Sequence, residues 1–275
     1  IGSYELHLYD AADCFVSYSI TVSEPINPLV STLNKIQDIN CHGDSTGSVQ
    51  IVVSGGVPAY SYIWNDIVVN STIVSNLTAG LHTVWITDDW NCTIKDTITI
   101  YENSLIEDSI SVLQNVSCHD GNDGVVIIIS WGGVQPHFCV WSNNHVNSSQ
   151  PDTNSGLYYG SYYVIIEDSL GCRVSDSVFI SEPDVLEVEA SLVSHVTCYN
   201  DSNGIAHAVG IGGTFPYTFV WDSINMQTGD TAYNLTPEVH TVHITDAKGC
   251  TSSDTVTITQ PTELHINIID SLTIL

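Results

Sequence analysis

Basic side chains are nearly absent from this chain: four Lys and Arg stand against 31 Asp and Glu in 275 residues, a formal charge of −27. Phosphate backbones repel such a surface, which excludes nucleic acid as a partner. An anionic membrane surface is disfavoured for the same reason. Long apolar runs are missing too; the best, Val125 to Ile129, falls far short of a bilayer-crossing segment. No stretch repeats its apolar residues at the helical period, so helices are not expected. No Ser, His and Asp set recurs with enzyme geometry, which points away from an enzyme. Disorder, the usual reading of a very acidic chain, is countered by an apolar fraction of 43% set in strict periods.

What is present is repetition. A ten-residue stretch from a Gly-Gly pair to a tryptophan occurs three times, as GGVPAYSYIW (Gly55 to Trp64), GGVQPHFCVW (Gly132 to Trp141) and GGTFPYTFVW (Gly212 to Trp221). Pro25, Asn103, Pro183 and Pro261 close equivalent segments at spacings of 78, 80 and 78 residues, so the chain is a tandem array. The expected units are 26–103, 104–183 and 184–261, with 1–25 the C-terminal part of a truncated repeat and 262–275 the first strand of a further one. On this reading the natural protein is longer.

Each unit offers six or seven short alternating runs between turn signals. They predict an all-β fold of tandem immunoglobulin-like antiparallel β-sandwich repeats of about 79 residues. In the third unit Ala206, Ala208 and Gly210 should face one way and Ile205, His207 and Val209 the other. Trp64, Trp141 and Trp221 are expected in the core, ahead of the alternative of a sugar-stacking platform. The second unit carries Ile127, Ile129 and Trp131 where the first has Gln50, Val52 and Ser54, and ordinary packing of that face is expected ahead of a contact patch. Short Pro-bearing joints predict a semi-rigid array.

Cys41 and Cys92, Cys118 and Cys172, and Cys198 and Cys250 recur at the same two places in each unit, 51, 54 and 52 residues apart. That is too wide for a C-x-x-C metal or redox motif. It predicts one disulfide inside each unit, formed in an oxidising, extracytoplasmic setting. Cys14 holds the second-cysteine position of the first fragment, so its partner is expected upstream. Cys139 stands where the other units have Tyr62 and Phe219, and is expected as a free thiol filling an aromatic's place in the core.

Taken together, CYNDSNG (198–204), GGTFPYTFVW (212–221), ITDAKGC (244–250) and TVTITQP (255–261) resemble the SprB repeat. The resemblance covers nearly the whole chain. Departures are Asn91 in place of the glycine before Cys92, Asp89-Trp90 within that turn, and the extra Cys139. The resemblance implies a very large cell-surface adhesin of Bacteroidota, exported by the type IX secretion system and in some species used in gliding motility, hence an extracellular location.

Two kinds of site are expected on this frame. The loop after each first cysteine is rich in hard oxygen ligands: Asp44 in the first unit, Asp120, Asn122 and Asp123 in the second, Asp201 and Asn203 in the third. The second resembles the opening of a calcium loop, so calcium is the cation weighed, although no cofactor is required. The competing reading is a solvated Asp/Asn/Gly turn. His42 and His119 in this loop give way to Tyr199, which argues against a shared metal or acid–base role. Asp-Ser/Thr-apolar tripeptides place hydroxyls at Thr97, Ser109, Ser169, Ser177, Ser223, Thr231, Thr255 and Ser271. They resemble the O-glycan acceptor motif of Bacteroidota, so covalent O-glycans are expected, with Thr97, Ser177 and Thr255 on an outward strand face. The functional readings are a structural stalk segment of a repetitive adhesin or filament, lectin-like modules that bind a surface polysaccharide, and self-assembly of neighbouring copies into a surface filament.

Overall fold

The structure, a computed structural model, describes residues 1–24, 27–65, 67–69, 71–222 and 226–267; Pro25, Ser223 and Ser271 lie outside them. The described residues form strands and no helix. The chain opens with an antiparallel hairpin, β1 (Gly2–Tyr9) and β2 (Phe15–Val22), paired from Gly2↔Val22 to Tyr9↔Phe15. Seven strands follow in the next segment: β3 (Val30–Gln37), β4 (Gly47–Ser54), β5 (Ser61–Trp64), β6 (Ile67–Val68), β7 (Ile73–Leu77), β8 (Gly80–Thr87) and β9 (Thr93–Ile100). They make two sheets, β3-β4-β7 and β6-β5-β8-β9. The pattern recurs with β10 (Glu107–Gln114), β11 (Gly124–Trp131), β12 (Phe138–Trp141), β13 (Val146–Asn147), β14 (Asp152–Leu157), β15 (Gly160–Glu167) and β16 (Arg173–Ile180), as β10-β11-β14 and β13-β12-β15-β16. The third occurrence has β17 (Glu187–Ser194), β18 (Gly204–Ile211), β19 (Thr218–Trp221), β20 (Thr231–Leu235), β21 (Val239–Thr245) and β22 (Thr251–Thr257), as β17-β18-β20 and β19-β21-β22. This is the immunoglobulin-like sandwich expected from the alternation.

Strand alternation decides what is buried. In β8 the side chains of His82, Val84 and Ile86 point inward while Leu81 and Trp85 face out. Trp64, Trp141 and Trp221 are 3%, 2% and 0% exposed, so all three repeated tryptophans are core. Trp64 packs in a cluster with Val49, Ile51, Val84, Ile86 and Ile100, and Trp221 in one with Leu186, Val242, Ile244 and Ile258. Ala206 and Ala208 face this second cluster, on the side expected of them. Cys139 is fully buried and unpaired, in the aromatic's place.

The Gly-Gly bend has a steric cause. Gly55, Gly132 and Gly212 have φ of +71°, +75° and +71°, and a Cβ there would lie 1.9 Å from the carbonyl oxygen of Pro28, Leu105 or Val185. Those carbonyls belong to the residues that lead into the first strand of each sandwich, so the bend lies against the start of its own repeat. The hydroxyls of Tyr60 and Tyr217 then donate to the carbonyls of Gly55 and Gly212 at 2.7 and 2.6 Å.

By its contacts the chain parts into two compact units: 1–107 with 131–137 and 167–174, and 108–130 with 138–166 and 175–275. Two expectations need correction. Ile129 and Trp131 are not packed away but 47% and 45% exposed, Trp131 donating its indole N–H to Glu107 Oε2 at 2.6 Å. The strand expected over 262–275 is not formed at 262–267. In the complete repeats this strand is held by the glycine-led strand after it, as β3 is by β4 and β17 by β18.

The larger correction concerns the cysteines. Cys41 is bonded to Cys172 and Cys118 to Cys250, with Cα–Cα distances of 5.4 and 5.7 Å and sequence separations of 131 and 132. The first cysteine of one repeat thus meets the second cysteine of the next, and Cys41–Cys92, Cys118–Cys172 and Cys198–Cys250 are not formed. Strand length explains why. Cys92 shares a crevice with Asn27, Pro28 and Leu29, which precede β3, whereas Cys41 lies beyond the end of β3. Eight strand residues lie between, roughly 26 Å at 3.3 Å per residue, and a disulfide needs its Cα atoms within about 7 Å. Closing loops this long stabilises the folded state by about 5 kcal/mol each on the chain-entropy model. Peptide mapping of the oxidised chain without reduction is expected to recover Cys41 joined to Cys172 and Cys118 joined to Cys250. Recovery of Cys41 joined to Cys92 would refute this pairing.

Candidate functional site

The recurring polar machinery of the chain positions its paired cysteines. Before each second cysteine stands an aspartate, Asp88, Asp168 or Asp246, that is 4%, 2% and 6% exposed. One oxygen of Asp246 accepts the backbone N–H groups of Lys248 and Cys250 at 2.8 and 2.9 Å; the other accepts Thr214 N–H, just after the Gly-Gly bend, at 2.7 Å. Asp88 does the same with Trp90, Cys92 and Val57, and Asp168 with Leu170, Cys172 and Val134. Asp10 in the first hairpin accepts from Ala12 and Cys14. Each carboxylate therefore ties the turn bearing the second cysteine to the bend that touches the start of the repeat.

Burial works against the charged form of Asp88 and Asp246, but the backbone donors together outweigh it and hold both carboxyls below their ordinary range. Because the folded-state pKa is depressed, this stabilisation is present above the ordinary value of 3.8 and is lost as pH falls through the lower folded value.

The loop after the first cysteine is built as regularly. Glu102 Oε2 accepts Gly43 N–H at 2.7 Å, Glu182 Oε2 accepts Asp120 N–H at 2.9 Å and Gln260 Oε1 accepts Asn200 N–H at 2.6 Å. These acceptors come from the last segment of the same repeat, so the first cysteine is fixed at the repeat's tail. His42 and His119 lie 3.3 Å from Glu102 and Glu182. At the Cys41–Cys172 bridge, Cys41, His42, Ser104, Leu105 and Arg173 line a crevice, and Cys172 Sγ is 3.5 Å from the Asn40 carbonyl.

Of the oxygen ligands expected for calcium, Asp123 is engaged in holding its own turn: Oδ1 accepts Ser117 N–H at 2.8 Å and Oδ2 accepts from the Gln114 side chain at 2.8 Å. The hydroxyl and backbone of Ser117 lower its pKa. Asn203 takes the same place in the third repeat, accepting Thr197 N–H at 3.0 Å. Asp120 falls instead beside His119 and Glu182, their ligating atoms within 4.8 Å, and Asn122 is exposed. Asp44 and Asp201 each donate backbone N–H to the first cysteine's carbonyl at 3.2 Å. Among the expected glycan positions Thr97, Ser109, Ser169, Ser177 and Thr255 are exposed and Thr231 is half-buried. Thr97, Ser177 and Thr255 share one geometry, each N–H bonded to the carboxylate of the preceding aspartate.

The buried histidines are structural. His82 and His240 bond through Nε2 to the carbonyls of Thr78 and Thr236 at 2.8 and 2.9 Å, and Tyr162 takes that position in the second repeat, bonding to Tyr158 O. His137 similarly replaces Tyr60 and Tyr217, with Nε2 3.2 Å from Gly132 O. One half-buried acidic contact is particular to the second repeat among the described residues. In the first repeat the Ser31 hydroxyl donates to Asp96 at 3.0 Å, whereas the second repeat places Asp108 against Asp176. Burial, then the Asp176 charge, raises the Asp108 pKa, and Asp108 Oδ2 has no hydrogen-bond partner among the described residues.

The fixed elements are the first cysteine with its polar loop, the Gly-Gly bend and the buried tryptophan. A family model matches them directly. Residues 33–69 match the SprB repeat. The match runs from within β3 through Cys41 and the Gly-Gly bend to just past β6. No curated protein sequence matches the chain. Among solved structures it is similar to three N-terminal domains of the bacteriophage RB49 outer capsid protein Hoc, at 13% identity over 85% of this chain and 99% of that one, TM-score 0.34. It is also similar to a tetra-tandem repeat from the extending region of a large adhesion protein, at 14% identity over 94% and 81%, TM-score 0.36. A third is the eight N-terminal immunoglobulin domains of DSCAM, at 12% identity over 94% of this chain and 43% of that one, TM-score 0.38.

Two substitutions test this polar frame. Asp246→Asn keeps two acceptor bonds but turns an amide N–H₂ toward the Thr214 N–H, so it should cost about 2 kcal/mol in denaturant unfolding near neutral pH. An unchanged midpoint would deny Asp246 its role. Asp108→Ser copies the first repeat and should stabilise the chain by about 1 kcal/mol at pH 7. Because the folded pKa of Asp108 is raised, the gain should shrink as pH falls and vanish below the ordinary 3.8, where the carboxyl is protonated in both states. A gain independent of pH would contradict the carboxyl pair.

Proposed function

We propose that the chain is a structural stalk segment of a large, repetitive cell-surface adhesin, holding a distal adhesive region away from the cell. The observation that carries this reading is the cross-repeat pairing of Cys41 with Cys172 and Cys118 with Cys250. Bridges of this kind join successive repeats, which a set of independent binding modules does not need and a load-bearing segment does. They also require an oxidising, extracytoplasmic setting.

The lectin-like alternative asks for an outward aromatic platform in each repeat. The repeated tryptophans are buried, and the exposed ones do not recur. Trp85 is matched by Ile165 and His243, Trp90 by Leu170 and Lys248, and Trp131 by Ser54 and Ile211. The buried histidines His82, His137 and His240 serve internal hydrogen bonds, which supports a non-enzymatic role. No helix among the described residues is long and apolar enough to cross a membrane.

A spacer is exchangeable. Replacing 26–261 in the protein at its cell surface by an unrelated immunoglobulin-like array of equal length should leave adhesion intact. Loss of adhesion with normal surface display would transfer the binding function to these repeats.

A further inference from the structure

Cys92 and Cys198 are both exposed and unpaired in this chain, and each occupies one half of a bridge that the chain closes twice elsewhere. Cys198 is a first-position cysteine. Its loop repeats that of Cys41 and Cys118 bond for bond, with Asp201 N–H on its carbonyl and Gln260 clipping Asn200. Cys92 is a second-position cysteine held by Asp88 as Cys172 is by Asp168. Cys139, in contrast, is buried in a core, and burial raises its pKa.

We infer that Cys198 and Cys92 are open faces of the same inter-repeat bridge, as is the second-position Cys14, and that Cys198 and Cys92 each take a further repeat of this kind in line with the array. Cys198 receives the Asp-x-x-Gly-Cys turn of a following repeat, and Cys92 the first cysteine of a preceding one. Each bond joins two thiol sulfurs. The two protons and two electrons released pass to a protein disulfide of the thiol-oxidase class, which becomes a dithiol.

A continued series has a mechanical consequence. Cys172 and Cys198 are 26 residues apart (198 − 172), and so are Cys92 and Cys118 (118 − 92). One covalent track runs Cys41–Cys172, then along the backbone to Cys198 and across to the following repeat. A second, staggered by one repeat, arrives at Cys92, follows the backbone to Cys118 and crosses to Cys250. Each track has only one 26-residue backbone link for every two repeats. Its taut length is therefore about 90 Å per two repeats, at roughly 3.5 Å per residue. Pairing inside each repeat would place two such links in series and give about 180 Å.

The test takes the protein from its source, blocks free thiols, and digests it without reduction. The expected products are a Cys198 peptide joined to a second-position cysteine of another repeat and a Cys92 peptide joined to a first-position cysteine of another repeat. Blocked free thiols at these positions, or bonds to any other cysteine, overturn the inference. Pulled to its covalent limit, the same oxidised protein should reach a length of about 90 Å per two repeats, and a limit near 180 Å overturns the inference as well. Neither readout depends on adhesion, so a failed stalk reading would leave this result standing.

Discussion

A disulfide can form only where two Cα atoms come within several ångströms, and in this chain that limit is met between repeats and not inside them. The cause is a single carboxylate per repeat. Asp88, Asp168 and Asp246 each bind the Gly-Gly bend with one oxygen and the turn of the second cysteine with the other. The bend in turn sits against the carbonyl that leads into the first strand. The second cysteine is thereby placed at the head of its repeat. Glu102, Glu182 and Gln260 hold the loop of the first cysteine at the tail. Head and tail are a strand apart within one repeat and adjacent across a repeat boundary.

This arrangement also accounts for how little core each repeat has. Domains of this size bury a modest share of their surface, and the sandwich around Trp64 or Trp221 is a single small cluster. A bridge inside each repeat would stabilise that repeat alone. A bridge from Cys41 to Cys172 instead makes the folding of one repeat a constraint on the next, so the array behaves as a chain of coupled neighbours. Surface acidity adds nothing to this coupling, and its effect is on solubility and on the absence of attraction for phosphate-rich partners.

Much of the fold was legible in the sequence because its signals are local. The period of the cysteines, the Gly-Gly-to-Trp stretch and the two-residue alternation fix strand number, sheet class and the burial of Trp141 without reference to distant contacts. Cysteine pairing was not legible from spacing, since a constant separation of 51 to 54 residues is compatible with either partner. The missing signal was the aspartate of ITDAKGC: read as a turn residue, Asp246 gives no hint that it reaches Thr214. The acidic loop after Cys118 illustrates the same limit. Asp123 looks like a ligand in the sequence, yet the fold spends its oxygens on Ser117 and Gln114.

The most direct measurement cuts the backbone where only a cross-repeat bridge could hold the pieces together. A protease site inserted between Asn103 and Ser104, cleaved to completion in the oxidised chain, leaves Cys41 and Cys172 on different fragments. On a denaturing gel without reductant the account expects one species near the intact 29.9 kDa, resolving into two only after reduction. Two fragments separating before any reductant is added would contradict it.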